Sequence, residues 1–564
     1  MSKTAPIALL LLLLSPTVGA SEPADSVLWA MGEELKRSEE HLVLGDHLRP
    51  YFISFTVKED AYRSLAGKMG AIFDRQETAT RHGRVEVRVG SYELDSSEDE
   101  EGDWARGVGH MPDTLMPLDD APAAIAHGLW LMTDLAYKQA VASHLKVKGD
   151  MVFRAEKRER PSFSPAPAVH VLQDRTTLEL DGLRWAEEIR SLGRLLGAMD
   201  RIEDHAIHID ASRITRWLVN SEGSRLRTEK ILYAISVLAY SRAADGALLS
   251  HSFDAFASTE ASLPTSDALL EATARMATDL VAVADAPALE PCTVPAILES
   301  KAAGVFFHEV LGHRLEGHRQ DRDDEGQTFS DHLGRTILPT FLSVVDDPTL
   351  AELSGTSLNG SYAFDDEGVA AQRVTLVEDG RLKGFLMARR PVKGFPGSNG
   401  HGRAQGTQKP VARMANLRVD TTQSVSAAEL KALLLAEVRR QGRPFGIIVR
   451  DLAGGTTNTS SFGYQAFKGE ARVVVRVDAR TGEETLVRGV DLVGTPLTSL
   501  GQIMAVGDTR EVFNGYCGAE SGMVPVSSVA PAILIRSLEL QRSTTERSRA
   551  PVLDAPHRLR SSAP

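Results

Sequence analysis

Residues 304–318 read Gly-Val-Phe-Phe-His308-Glu309-Val-Leu-Gly312-His313-Arg-Leu-Glu316-Gly317-His318. Two histidines flank a glutamate that directly follows the first, in the pattern His-Glu-x-x-x-His. Imidazole is the commonest side-chain metal ligand. A carboxylate beside two of them can act as the base that takes a proton from water at a zinc ion. In the familiar zinc-protease helix the spacing is one residue shorter, so both rings share a face. At i+5 an ideal α-helix carries the second ring about 140° away from the first. The spacing therefore predicts a local widening to an i→i+5 turn or a tight bend, with Gly312 where the backbone gives. With 16 His in 564 residues, the pattern arises by chance about 0.03 times per chain. The plainer reading is a partly buried helix with two structural histidines, and Val305-Phe306-Phe307 does bury a face.

Two histidines do not complete a catalytic zinc site, which usually has three protein ligands and an open position. Candidates for the third are His318, Glu316, His332 and a cysteine. Cys517 stands in the glycine-rich stretch 514–522 and reads as part of a turn that presents a thiolate. Cys292 lies in the proline-rich entrance to the second half, where a small buried residue is expected. His205 and His208 belong to an alternating stretch and read as strand residues.

The elements that must position these groups follow from periodicity. A strand, Val294–Leu298, feeds a helix from about Lys301 to Gly317. Beyond it come mostly short strands and glycine-centred turns. Gln372–Val377 and Leu382–Met387 flank Glu378 to Arg381; Phe445–Arg450, Ala471–Val477 and Thr485–Val490 follow, with one amphipathic helix near Ala427–Gln441. That is the pattern of an antiparallel or barrel-like sheet. The first half mixes strands (Tyr51–Val57, Arg84–Gly90, Trp217–Arg227 as a hairpin, Lys230–Ser241, Ala247–Ala255) with helices at Ala123–Leu145, Leu183–Met199 and from Thr265 or Ser266 to Ala284. The strict alternation of Arg84–Gly90 predicts a half-exposed strand. Glu98 to Glu101 reads as a solvated acidic loop. Pro287, Pro291 and Pro295 mark a boundary.

The expected class is α+β: an N-terminal mixed α/β domain over 21–286, a β-rich domain carrying the metal-binding helix over 287–540, and a disordered tail over 541–564. Residues 1–20 read as a signal peptide, with Lys3, the apolar run Ile7–Leu14 and the small-residue site Val18-Gly19-Ala20. The chain is expected to be exported. No later segment reads as a membrane span, since Ala123–Leu145 is broken by His127, Asp134 and Lys138. Hydrophobic residues make up 42% of the chain, which suits a globular protein and excludes disorder. A formal net charge of −13 argues against nucleic acid as a partner. Two cysteines cannot staple a chain this long.

The motif region resembles the TldD/PmbA family, also called modulators of DNA gyrase, which are zinc metallopeptidases with a His-Glu-x-x-x-His helix. Asp365 to Gly368, Gln372-Arg373 and Val377 to Phe385 resemble that family's central hairpin. Ala412 to Asn416, Gly454-Gly455, Tyr516 to Gly518 and Val524 to Val526 resemble its downstream blocks, and Asn220 to Gly223 a turn of its N-terminal domain. The resemblance implies Zn²⁺ bound by His308, His313 and Cys517, Glu309 as general base, and peptides or unfolded polypeptide segments as substrates. It also implies a dimer, either a homodimer or a heterodimer with a related subunit. The chain departs from the family at His318, where an acidic residue is usual, and over Asn399 to Lys409. Cys292 is then a free thiol, against the rival expectation of a Cys292–Cys517 disulfide in an exported chain. A noncatalytic partner subunit would not need an intact Glu309 beside both histidines. An exported zinc-buffering protein would show a His-rich loop, which the sequence lacks.

Overall fold

The computed structural model describes residues 25–99, 114–153, 160–322, 324–462, 464–544, 547–553 and 555–556. The expected leader, residues 100–103 of the acidic run and part of the expected tail lie outside the described residues. Both helices and many strands are present, and the fold is α+β.

The first half is built on a seven-stranded sheet. Pro50–Lys68 pairs antiparallel with both Ala71–Val89 and Asp204–Asn220. The latter turns through Asn220 to Gly223 into Arg225–Arg242, and Leu248–Ala257 adds to its far side. Alternate residues Ile207, Ile209, Ala211, Ile235 and Val237 join Trp185, Ile189 and Leu192 of the Gly182–Gly197 helix in one core. Phe55, Val57, Val85, Val87 and Trp217 join the helices Ser26–His41 and Pro122–Phe153 in another. The period-2 pattern at Arg84–Gly90 holds, but its charged face does not meet open solvent. Arg84, Glu86 and Arg88 face a cleft between the two halves of the molecule, where Glu86 pairs with Arg84 at 3.0 Å and with Arg88 at 2.6 Å.

The second half is an eleven-stranded sheet whose central part closes on itself. Cys292–Leu298, Phe445–Thr457, Phe467–Asp478, Val490–Gly494 and Gly522–Arg542 each pair with the next, and the last also pairs with the first. Closure removes the edges that an open sheet would leave unpaired. The ring is antiparallel except between Cys292–Leu298 and Phe445–Thr457. Alternation along these strands serves two clients. Ala296, Leu298, Ile447, Val449, Ile533 and Ile535 pack against the metal-motif segment. Their neighbours Ile297, Ile448 and Leu534 pack against Leu430, Leu434 and Val438 of the Ala427–Arg440 helix, which a reciprocal Ser426–Glu429 capping box starts.

Three expected elements differ. Only Arg381–Leu382 of the stretch to Met387 is strand; beyond it the backbone turns to the metal motif, where Leu386 N–H donates to the Leu315 carbonyl and Gly317 N–H to that of Leu386. Residues 514–522 are not a loop but the end of a long hairpin, Ile503–Ala519 with Gly522–Arg542. Gln541 and Arg542 still belong to that last strand, and Arg547 bridges Ala247.

Candidate metal centre

The segment Ser300–Phe307 is α-helical and buried throughout except at Lys301, as an apolar helix inside a barrel core must be. At His308 the helix widens. Residues His308–Gly312 form a π turn, in which the backbone N–H of His313 reaches back to the carbonyl of His308. Single turns of 3₁₀ helix follow at His313–Leu315 and Gly317–Gln320, separated by an extended Glu316. The i+5 spacing is thereby resolved as a bulge, which brings the two imidazoles to 5.0 Å between ring centroids at 89°.

Gly312 does not act as expected. Its φ of −56° and ψ of −54° are ordinary helical values, so backbone freedom is not the reason for glycine. Space is: a Cβ there would sit 2.0 Å from Sδ of Met414. Gly455 has the same role towards Glu309. A Cβ on it would lie 2.4 Å from Cγ of Glu309, so the glutamate side chain rests on bare backbone of the Phe445–Thr457 strand.

Cys517 comes from the hairpin strand, opposite Val524, and its Sγ lies 3.4 Å from Nε2 of His313. Nitrogen and sulfur atoms of His308, His313 and Cys517 all fall within 4.8 Å of one another, and all three residues are buried. The far side of each ring is engaged. Nδ1 of His313 is 3.4 Å from a carboxylate oxygen of Glu316, and Nδ1 of His308 is 3.5 Å from the Ser528 hydroxyl. These contacts turn the Nε2 of His313 towards the thiol, the arrangement in which a carboxylate fixes a ligating histidine. Burial alone pushes the Cys517 thiol up, but the imidazoles of His313 and His308 outweigh it and hold the thiol well below its ordinary range. Two imidazoles and a thiolate form an N₂S donor set that suits zinc.

The other candidates are engaged in other contacts. Glu316 is fully buried and accepts from Nε of Arg319 at 2.8 Å, a carboxylate already committed. His318 bonds Glu520, which also accepts from Arg319 at 2.9 Å. His332 sits in a short turn against Phe329. His205 is in its strand and accepts from Met69 N–H. Both cysteines are free, so the disulfide is not formed, and burial pushes the Cys292 thiol up.

Two arginines escaped the sequence reading. Arg413 is fully buried and donates to the Cys517 carbonyl at 2.6 Å and to Ser521 and Gly522, while its Nε lies 3.4 Å from Glu316. Arg314 donates to the Glu309 carbonyl at 2.9 Å and to Thr457 and Asn458. One braces the Cys517 strand against the carboxylate behind His313; the other anchors the backbone at Glu309. Their signal in the sequence is slight: a lone arginine between apolar neighbours, as in Ala412-Arg413-Met414.

Residues 291–542, which hold the whole site, match the model of the PmbA/TldA metallopeptidase C-terminal domain. This stretch, a little under half of the chain, is similar to the metallopeptidase domain of the PmbA/TldA proteins. Among curated relatives, a metalloprotease of Archaeoglobus fulgidus is 35% identical over 243 residues, 43% of this chain and 51% of that one. A zinc metalloprotease TldD homolog of Saccharolobus solfataricus is 26% identical over 249 residues, 44% of this chain and 51% of its own. The chain thus spans about half the length of these relatives. The structure of TldE from Thermococcus kodakarensis superposes with a TM-score of 0.61 at 14% identity, over 91% of this chain and 100% of that one; the likeness is one of fold.

Proposed function

We propose that the chain is a zinc-dependent peptidase that hydrolyses peptides or unfolded polypeptide segments. The observation that carries this is the convergence of His308, His313 and Cys517 on a π turn whose second residue is a glutamate. Zinc held by these three would supply a Lewis acid that polarises a peptide carbonyl and acidifies water. The chain's own residues do the rest. Glu309 accepts the water proton and passes it to the departing amine; Arg314 and the bare backbone of Gly455 hold it for that task. Glu316 and Ser528 orient the two imidazoles, and Arg413 keeps the Cys517 strand in register with them.

The cleft between the halves, about 1620 Å³, is large enough for several residues of extended chain and too small for a folded domain. Tyr516, Glu520, Met523 and Val524 of the Cys517 hairpin form one wall, with His318 beside them. His308, Glu309, His313 and Cys517 do not line it, so a substrate reaches them when that wall moves. The working unit is a dimer with itself or a related subunit, and the protein acts after export. Zinc content and peptide hydrolysis measured together on purified protein test the reading: tight stoichiometric zinc without hydrolysis of any unstructured peptide would overturn it.

A further inference from the structure

The cleft wall carries four basic residues within one neighbourhood, and two of them have no acid. Lys58 and Arg216 share Asp366, at 2.9 and 3.0 Å. Lys230, on the Arg225–Arg242 strand, donates only to the carbonyl and hydroxyl of Ser361, at 2.9 and 3.2 Å. An ammonium has three donors, so one is left over. Arg403 donates to the backbone carbonyls of Met414 and Pro525 and lies over the Tyr362 ring, 5.0 Å from its centroid. Among the described residues, no carboxylate stands within ion-pairing distance of either cation. The nearby acid Asp365 is occupied by the backbone N–H groups of Glu367, Val369 and Gly402. Further along the wall Asp210 holds the Tyr62 hydroxyl and Asp254 that of Ser252.

We infer that Lys230 and Arg403 form a carboxylate-binding subsite of the cleft, which takes the free C-terminus or an acidic side chain of a peptide. A buried cation without a counter-ion is costly, and a charge-assisted hydrogen bond to an incoming carboxylate relieves that cost. Burial, with the field of Arg403 added, already pulls the Lys230 ammonium down to about 8; it remains charged at neutral pH and gains from an anion. Ser361 holds the lysine in place, and Tyr362 the arginine. Lys230 and Arg403 line the same cavity as Tyr516, Val524 and Glu520 of the Cys517 hairpin. A peptide anchored here would therefore lie along the wall that separates the cleft from the metal centre. The choice of a peptide as the carboxylate's bearer rests on the peptidase reading; the unanswered charge does not.

The test uses full-length Glu309→Gln protein, so that binding is followed without turnover. An N-terminally labelled, unstructured hexapeptide is offered as free acid and as C-terminal amide, and the amide with one glutamate against one glutamine. Fluorescence anisotropy should show one acid form binding about tenfold or more tightly than its neutral counterpart, and which pair shows it identifies the source. Lys230→Gln in the same background should abolish the difference, and Lys230→Arg should keep it. Equal binding of acid and neutral forms, or a preference undiminished in Lys230→Gln, would overturn the subsite. Should Lys230→Gln fail to fold, the acid-against-neutral comparison on the protein with Lys230 intact decides. Hydrolysis by the unsubstituted protein is measured beside it. Cleavage with no acid preference sinks the subsite alone, and acid preference with no cleavage sinks the peptidase reading alone.

Discussion

Nδ1 of His313 faces Oε2 of Glu316 across a single turn of 3₁₀ helix, 3.4 Å away, with both residues buried. The carboxylate fixes which ring nitrogen is left for a metal, and Arg319 and Arg413 hold the carboxylate in turn. Loss of such a partner typically weakens metal binding by about 10–100-fold. Glu316→Gln should therefore bind zinc that much more weakly in a chelator competition while keeping its fold. Unchanged affinity would mean that the ring is fixed by packing alone.

Glu309 sits one residue past His308 and outside the His308–His313–Cys517 cluster. Glu309→Gln should keep full zinc content and lose peptide hydrolysis by about 10²–10⁴-fold, the range for removing a general base. Zinc lost along with activity would make Glu309 a ligand instead.

With both cysteines free, thiol titration of unreduced, denatured protein in the presence of chelator should find two reactive groups. Cys517→Ala should lose most of its zinc, and Cys292→Ala none. Full zinc in Cys517→Ala would reassign the site to His318 or Glu316.

How much of this was legible in the sequence depends on how local each feature is. His308, Glu309 and His313 lie within six residues; their spacing left either a widened turn or a tight bend as the way to bring both rings together, and the fold contains the widened turn. The reason given for Gly312 was wrong because it was local: the clash that excludes a side chain comes from Met414, brought there by the sheet. Cys517 is 204 positions from His313. It was reached through family resemblance, and Gly515 and Gly518 made its surroundings look like a turn. In the barrel those glycines sit within a hairpin strand whose turn comes later, at Glu520-Ser521. The bonds of Arg413 to the Cys517 hairpin and of Arg314 to Thr457 and Asn458 exist only through tertiary contacts, so no window of sequence displays them. The charged face of Arg84–Gly90 illustrates the same limit. Periodicity gives the alternation correctly and cannot say whether the polar side meets water or another part of the chain.

The Gly312–Met414 contact gives a stability test with opposing terms. Alanine in place of glycine favours helical backbone by about 0.5–1 kcal/mol. Against this, a Cβ 2.0 Å from Sδ of a fully buried methionine forces a shift that typically costs about 1–3 kcal/mol. Overpacking should win, and Gly312→Ala should lower the urea midpoint and weaken zinc binding. In a double-mutant cycle with Met414→Ala the penalty should shrink, because the cavity accepts the methyl. Additive effects would show that the strain lies elsewhere.

Away from the His308–His313–Cys517 cluster, Asp365 and Glu367 converge over Gly402, where one imagined Cβ would lie 2.4 Å from Glu367 and 3.1 Å from Asp365. Burial first, and then the negative charge of Asp365, pushes the Glu367 carboxyl up from 4.5 to about 8. An acid whose folded pKa is raised binds its proton more tightly when folded. Its contribution is therefore most favourable below the unfolded value and falls as pH rises, from about 4.5 until the folded value near 8 is passed. Glu367→Gln keeps an oxygen to accept the Arg389 N–H, now 2.7 Å from the carboxylate, and removes the titration. The variant should match the parent near pH 5 and become progressively more stable than it towards pH 8 in chemical denaturation. A constant difference across that range would show that Glu367 ionises in the folded protein as it does in the unfolded chain.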